Sequence, residues 1–311
     1  MAFRGWKKLP IRIETGEMVE AIAPVIVSAS RATDIPAFHA EWFMTRLRAG
    51  YVQWCNPFNA RQTQYVSFRK TRAVIFWSKN PAPLLPHLSE LDAIGINYSF
   101  QFTLNDYEAE GLEPYVLPLA KRIETFRRLA SHIGPERVVW RFDPLVLTGR
   151  LTADMLLERI GRLAEALGGQ TRKLVISFAD IECYRAVRLR LSRMGAGARE
   201  FAPEEMDEFA ARLVERNKDW GLELSACAED SELAGIAKSR CIDGHVLASC
   251  FGDDAELMEF LGGSTLFPGD APVSVALKHQ GQRKACGCIV SKDIGVYGTC
   301  QHGCRYCYAC R

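Results

Sequence analysis

Val138-Val139-Trp140-Arg141-Phe142-Asp143-Pro144 is the stretch on which the fold turns. A β-strand sends successive side chains to opposite faces, so Trp140 and Phe142 share one face while Arg141 and Asp143 share the other. The run is apolar where it begins and polar where it ends. Five other stretches end in the same way: SASR (28–31), WSKNP (77–81), FQFTLN (100–105), SFAD (177–180) and SACAED (225–230). In the run 98–104, Phe100, Phe102 and Leu104 alternate with Ser99, Gln101 and Thr103. In the run 222–226 and just beyond it, Leu222, Leu224 and Ala226 alternate with Glu223, Ser225, Cys227 and Glu229.

The apolar cores of these runs are Val25–Ala29, Tyr51–Cys55, Ala73–Trp77, Tyr98–Leu104, Val138–Phe142, Leu174–Phe178 and Leu222–Ala226, with a weaker candidate at His245–Cys250. Helical patterns lie between them. One follows Thr33-Asp34-Ile35-Pro36, a cap with an early proline, puts Phe38, Trp42, Phe43 and Leu47 on one face and stops at Gly50. Others cover 118–132, 152–167 and 203–219, the last burying Met206, Phe209, Leu213 and Val214. About eight strand–helix cycles predict an α/β fold, a TIM-like (β/α) barrel, complete or partial, with a doubly wound open sheet as the alternative. The expected organisation is an N-terminal extension over 1–24, with a hairpin near 9–14 and 18–22, a barrel over 25–270, and a cysteine-rich cluster-binding segment over 271–311.

In a barrel the polar strand ends line one mouth. That reading nominates Arg31, Lys79 and Arg141 as carboxylate or phosphate ligands, and Asp34, Asp143 and Glu229 as groups that orient a substrate or carry protons, with Gln101 beside them. The competing reading is a structural salt-bridge network around Arg141.

The chain has 311 residues, 48% apolar and 24% charged, which disfavours disordered, collagenous and transmembrane classes. No apolar run approaches the roughly 18 residues that span a bilayer, and the basic N-terminus lacks a signal-peptide core, so a cytoplasmic protein without a membrane partner is expected. Lysine and arginine outnumber aspartate and glutamate by 39 to 37, which argues against nucleic acid as a partner. Five arginines, Arg185, Arg188, Arg190, Arg193 and Arg199, crowd the insertion at 181–202; a solvated face balanced by the acids at 204–208 is expected there, with phosphate binding as the alternative.

Nine of eleven cysteines fall in the last 85 residues. In a reducing compartment such clustering points to metal or iron–sulfur ligation rather than disulfides. The spacing of Cys300, Cys304 and Cys307, C-x3-C-x2-C, suits three thiolates on one [4Fe–4S] cube with its fourth iron left open. Cys310 extends the run and would close the cube as a fourth ligand, giving a plain electron carrier; zinc is a further alternative. Cys227, Cys241, Cys286 and Cys288 suggest a second all-thiolate site for zinc or an auxiliary cluster. Ordinary buried cysteines are the competing reading.

The segment Gly298-Thr299-Cys300-Gln301-His302-Gly303-Cys304-Arg305-Tyr306-Cys307-Tyr308-Ala309 resembles the cluster motif of radical S-adenosylmethionine (SAM) enzymes. The resemblance implies that Cys300, Cys304 and Cys307 hold the cluster, that SAM binds the open iron, and that Tyr306 packs near its adenine. Two features depart from that pattern: the motif stands at the end of the chain rather than after the first strand, and no Gly-Gly-Glu segment occurs. The chain as a whole is similar to a mainly bacterial family classed as a domain of unknown function, through SASRATDIPAF (28–38), FWSKNPAPLL (76–85), WRFDP (140–144), ISFAD (176–180), CAED (227–230), QRKACGC (282–288) and DIGVYGTC (293–300). The C-terminal cysteines of that family are themselves noted as similar to the radical-SAM cluster. A permuted layout, with 293–297 beside Val25–Ala29, would deliver the cluster to the barrel mouth.

The leading expectation is a radical-SAM-like enzyme acting on an unknown small-molecule or macromolecular substrate, supplied with electrons by a reductant such as flavodoxin or ferredoxin. The alternatives are a non-enzymatic iron–sulfur protein for electron transfer or sensing, and a zinc-stabilised nucleic-acid-binding barrel.

Overall fold

A computed structural model describes residues 3–56, 59–227, 229, 232–262, 277–278 and 286–310. Residues 263–270 of the expected barrel, and 271–276, 279–285 and 311 of the expected C-terminal segment, lie outside the described residues. The chain divides into two compact units, Met1–Phe100 with Ile242–Gln282 and Cys288–Cys300, and Gln101–Cys241 with Arg283–Gly287 and Gln301–Arg311.

In the first unit, β1 (Lys7–Arg12) and β2 (Met18–Ala23) form the expected hairpin. It is no loose extension. β2 pairs with β5 (Asn59–Ser67), which pairs antiparallel with β4 (Tyr51–Asn56), giving a four-stranded sheet in the order β1-β2-β5-β4. Buried Ile11, Ala21 and Tyr51, with Ile13, Val19 and Tyr65 against them, form its core.

β3 (Ile26–Ala29) is buried throughout, as suits a strand covered on both faces. Its parallel neighbour is β6 (Ala73–Ser78). The helix expected after Asp34 is two helices, α1 (Ile35–Phe38) and α2 (Ala40–Ala49), because His39 leaves helical geometry at φ −135° and ψ 24°. The offset turns Trp42 out to 39% exposure, whereas Phe43 stays buried, edge-on to Phe76 with ring centroids 5.3 Å apart. α3 (Leu88–Ala93) leads to β7 (Asn97–Thr103), at which the chain passes into the second unit. Later in the chain α8 (Gly244–Cys250) and α9 (Ala255–Leu261) are helices, so the weak strand expected at 245–250 is corrected. The cause is a helix start: the Asp243 carboxylate accepts the His245 N–H at 3.0 Å and caps α8. β12 (Lys292–Asp293) pairs parallel with β3, Lys292 opposite Val27 and Asp293 opposite Ser28, which is the permuted seam the sequence suggested.

The second unit alternates α4 (Leu119–Ile133), β8 (Val138–Leu145), α5 (Ala153–Leu167), β9 (Lys173–Phe178), α6 (Arg185–Arg193), α7 (Pro203–Asn217), β10 (Glu223–Ala226) and β11 (Ala237–Lys238). α5 shows how the sequence sets a helix. Thr152 Oγ1 caps its start by accepting the Met155 N–H at 3.3 Å, Leu156, Leu157, Ile160, Leu163 and Leu167 bury one stripe, and Gly168 ends it in left-handed geometry. In α7, Phe209 and Leu213 are buried as expected, while Met206 and Val214 are half-buried. In β8 the alternation holds: Trp140 and Phe142 are fully buried, and the Trp140 indole N–H donates to the Leu104 carbonyl at 3.0 Å.

The larger sheet runs β11-β10-β9-β8-β7-β6-β3-β12. Every pairing described between β8, β9, β10 and β11, and between β12, β3 and β6, is parallel. The result is a mixed α/β fold whose mostly parallel sheet is open, with β11 and β12 at its edges, and the expected barrel closure is corrected accordingly. The 51–55 run joined the small four-stranded sheet, pairing antiparallel with β5, the 245–250 run became helix, and the two edge strands are only two residues long. Among the described residues no helix is long and apolar enough to cross a membrane.

Candidate functional site: a polar constellation and a cysteine loop

In the second unit the ends of β7, β8, β9 and β10 bring together Gln101, Arg141, Asp143, Ser177, Cys227 and Cys241. The Arg141 guanidinium is buried. It donates to Gln101 Oε1 at 3.1 Å, to Asp143 Oδ2 from Nε at 2.9 Å, and to Cys241 Sγ at 3.2 Å. Gln101 in turn donates to the Cys241 carbonyl at 3.1 Å, and Ser177 Oγ donates to the second Asp143 oxygen. Burial works against the charge on Arg141, but Cys241, Asp143 and Cys227 more than offset it and hold its pKa well above the ordinary value. Cys227 Sγ lies 3.5 Å from Cys241 Sγ. Their mutual hydrogen bond and then burial push the Cys227 thiol up. Glu229 Oε1 accepts the Phe178 N–H at 3.2 Å, at the end of the adjoining strand.

The cysteine loop is anchored to this constellation. Asn105, fully buried, accepts the Asp143 N–H at 2.9 Å, and the two N–H bonds of its Nδ2 are shared among the Asp143 carbonyl at 3.1 Å, Glu113 Oε1 at 3.0 Å and the Tyr306 hydroxyl at 3.1 Å. Tyr306 also donates to Glu113, and its ring sits edge-on to Tyr107 at 6.0 Å. Burial first, then the Glu113 charge, keep the Tyr306 phenol protonated far above its usual range. Glu113 is balanced by Arg122 at 3.5 Å, both side chains almost fully buried. Tyr306 is thus tethered through its hydroxyl, and the residue as a whole is half-buried.

Backbone contacts set the rest of the loop. Tyr115 N–H donates to the His302 carbonyl, Arg305 N–H to Leu112, and Cys307 N–H to Cys304 at 3.2 Å, so Cys304 and Cys307 share one tight turn, with Cys304 buried. Gly303 has φ +64°, and a Cβ there would lie 2.7 Å from the Tyr115 ring, which explains glycine before Cys304. Arg190, on α6, donates to the carbonyls of Arg305 at 3.2 Å, Cys310 at 2.9 Å and Cys307. The arginine-rich insertion therefore contributes a clamp on the cysteine loop. Of its other arginines, Arg199 forms the expected pair with an acid of 204–208, a fork on Glu205, while Arg188 pairs with Glu182.

In the first unit the seam between β3 and β12 gathers a second polar group. Asp293 accepts from Ser30 Oγ at 2.7 Å and from the Arg31 N–H at 2.9 Å, and Ser28 and Ser291 hydroxyls meet at 2.7 Å. The Arg31 guanidinium stands 5.6 Å from the Trp77 ring centroid and 3.3 Å from Ser291 Oγ. Gly295 is required, since a Cβ would fall 1.9 Å from Ser30 Oγ. Asp34 is a fold-holding group: one oxygen caps α1 at Ala37 N (3.0 Å) and the other accepts the Lys79 N–H (2.8 Å). Lys292, opposite Val27, places its ammonium 3.2 Å from the Trp54 ring centroid, and burial brings its pKa down to about 8.

Of the residues nominated from sequence, Gln101, Arg141, Asp143, Cys227 and Cys241 thus form one constellation, linked through Asn105 to Tyr306. Arg31, Asp34 and Lys79 belong to the first unit. Among the described residues no set of three or more His, Cys, Asp or Glu side chains stands arranged around a metal position. Of the proposed second thiolate site, the contact described is the Cys227–Cys241 pair. Asn105, Glu113, Ser177 and Asp293 are not among the residues nominated from sequence, and Arg190 is nominated only as one of five arginines on an expected solvated face. Asn105 ends the quoted FQFTLN stretch and Asp293 opens DIGVYGTC, whereas nothing local marks Glu113, and nothing in the arginine run distinguishes Arg190 from its neighbours.

Fold and site together define an open-sheet α/β protein with a pinned C-terminal cysteine loop. The chain belongs to the DUF1848 family, a domain of unknown function whose model spans residues 26–309. Comparison with curated proteins found no match.

Proposed function

We propose that this protein binds a [4Fe–4S] cluster through Cys300, Cys304 and Cys307 and uses it, with SAM on the open iron, in radical chemistry on a substrate held by the Arg141–Asp143–Gln101 constellation. The observation that carries the reading is the loop itself: three carbonyls clamped by Arg190, and Tyr306 tethered to Glu113 and Asn105. Such fixation suits a segment that must present thiolates in a set geometry. The donor set fits, since soft thiolates are the ligands of iron–sulfur cubes. Arg305 Nε, buried beside Cys304 and without a hydrogen-bond partner among the described residues, offers an N–H to an anionic group at the loop.

A cluster bound there would supply the electron that cleaves the SAM sulfonium. The chain's own groups do the rest. Tyr306 offers a ring face beside the loop, Arg141 a fixed cation for a carboxylate or phosphate, and Asp143, held by Arg141 and Ser177, an acceptor for a hydroxyl or amine. A flavodoxin or ferredoxin is the natural class of electron donor.

Cys310 supports a second reading. Its carbonyl is held by the same arginine as that of Cys307, and as a fourth ligand it would make the protein an electron carrier or sensor. Anaerobic reconstitution separates the two. Under the leading reading, wild type and Cys310→Ser bind four irons and four sulfides, cleave SAM reductively to 5′-deoxyadenosine, and the triple Ser variant at 300, 304 and 307 loses both. Cluster loss in Cys310→Ser without SAM cleavage by wild type favours the carrier. Full iron and sulfide in the triple variant rejects both.

A further inference from the structure

Cys227 and Cys241 form a pair that the cluster reading does not use. Their sulfurs are 3.5 Å apart, about 1.5 Å beyond a disulfide bond of roughly 2.05 Å. The backbone on each side is held: the Cys227 N–H donates to the Ile176 carbonyl at 2.8 Å, and Gln101 donates to the Cys241 carbonyl at 3.1 Å. The two thiols are preset to meet. Both are half-buried, which leaves an approach for a small reagent.

A metal fits this pair poorly. Arg141 Nη1 lies 3.2 Å from Cys241 Sγ, where a metal ion on that sulfur would meet the guanidinium charge. A fixed guanidinium repels a metal cation yet stabilises negative charge on the sulfur it touches. Two adjacent sulfurs with a cation on one of them are suited to thiol–disulfide exchange.

We propose that Cys227 and Cys241 are a redox-active dithiol that accepts oxidising equivalents from low-molecular-weight disulfides of the glutathione class. The thiolate form of Cys241, with the Arg141 cation 3.2 Å from its sulfur, attacks one sulfur of the disulfide, forming a mixed disulfide and expelling one thiolate. Cys227 then attacks the Cys241 sulfur, closing the protein disulfide and expelling the second thiolate. The proton lost from each cysteine ends on a released thiol, so one small disulfide is reduced to two thiols as two protein thiols become one disulfide. The proposal is independent of the cluster.

The test equilibrates the full chain anaerobically in glutathione buffers from reducing to oxidising, then applies acid quenching, alkylation and tryptic mass spectrometry. Trypsin cuts after Lys238 and Arg240, so Cys227 falls on peptide 219–238 and Cys241 on peptide 241–278 together with Cys250, from which fragment ions distinguish it, and the cluster cysteines fall on peptides after Lys292. A cross-link between the first two peptides is expected in oxidising buffer, reversed by excess dithiothreitol. Cys227→Ser should lose the cross-link and accumulate glutathione on Cys241, whereas Cys241→Ser should show neither cross-link nor adduct on Cys227. Absence of the cross-link from wild type at every ratio would overturn the proposal, whatever the folding of the variants. So would pairing of either cysteine with another one, or a stoichiometric zinc that shields both from alkylation and is lost in both variants.

Discussion

Single residues here are held by several partners at once, and Lys292 shows what that does to chemistry. Its ammonium is pressed on the Trp54 ring, and Trp54 is fixed by donating to the Gly295 carbonyl at 3.2 Å. Burial outweighs the favourable charge of Asp293 and lowers the folded pKa to about 8. The unfolded chain, with a lysine value of about 10.4, then binds more protons between these limits, so Lys292 makes folding more favourable as pH rises through that window. Below about 8 both states are protonated and the burial penalty is present in full. An NMR titration of the Lys292 side chain should give a midpoint near 8; a midpoint shared with the exposed lysines would refute the contact. At Arg141 the same multiplicity has the opposite sign, since surrounding anions and sulfurs hold the charge on.

Among the elements, α6 is the one whose role exceeds its appearance. Val187 and Leu191, one turn apart, bury its apolar side, and Arg190 reaches from it to three carbonyls of the cysteine loop. Hydrogen bonds from a charged donor contribute roughly 1.5–3 kcal/mol each at most, and shared solvent access reduces the sum. Arg190→Met should therefore loosen residues 304–310 by about 2 kcal/mol, seen as faster amide exchange there before any cluster is added. Reconstituted protein should lose iron to a chelator sooner than wild type. Unchanged exchange in that segment would remove the clamp from the argument. α7 is secured differently, by Glu205 accepting the Ala202 N–H at 2.9 Å and the Arg199 fork. These bonds lower the Glu205 pKa to about 2, so its contribution persists above the ordinary carboxylate range and fades only as pH falls toward that value.

On the scale of the whole chain, the N-terminal residues are part of the structure. Ile11, Ala21, Ile22 and Ala23 are buried, and β2 supplies the ladder on which β5 rests. Deleting residues 1–24 exposes this core and leaves β5 unpaired on that side. At roughly 1.5–3 kcal/mol for each large apolar side chain uncovered, the loss is about 4 kcal/mol or more, a large share of ordinary domain stability. The truncated chain should be insoluble, or unfold at much lower denaturant than wild type. Equal midpoints would return 1–24 to the status of an extension.

What the sequence determined by itself was local. The 3.6-residue period and capping residues located α5 and α7, two-residue alternation assigned Arg141 and Asp143 to the face opposite Trp140 and Phe142, and cysteine spacing singled out the terminal loop. The resemblance of the cysteine motif to a loop that ordinarily follows the first strand also suggested that 293–297 lies beside 25–29. The tertiary structure decided the rest. Whether Tyr51–Cys55 joins a parallel or an antiparallel ladder depends on which partner is near, and β-propensity is indifferent to that choice. Whether a sheet closes depends on its edges, here two strands of two residues each. Asp34 looked like a site residue because a carboxylate at a strand end is chemically able. Its two oxygens were instead claimed by backbone N–H groups at Ala37 and Lys79, and only the packed chain brings the second of these within reach.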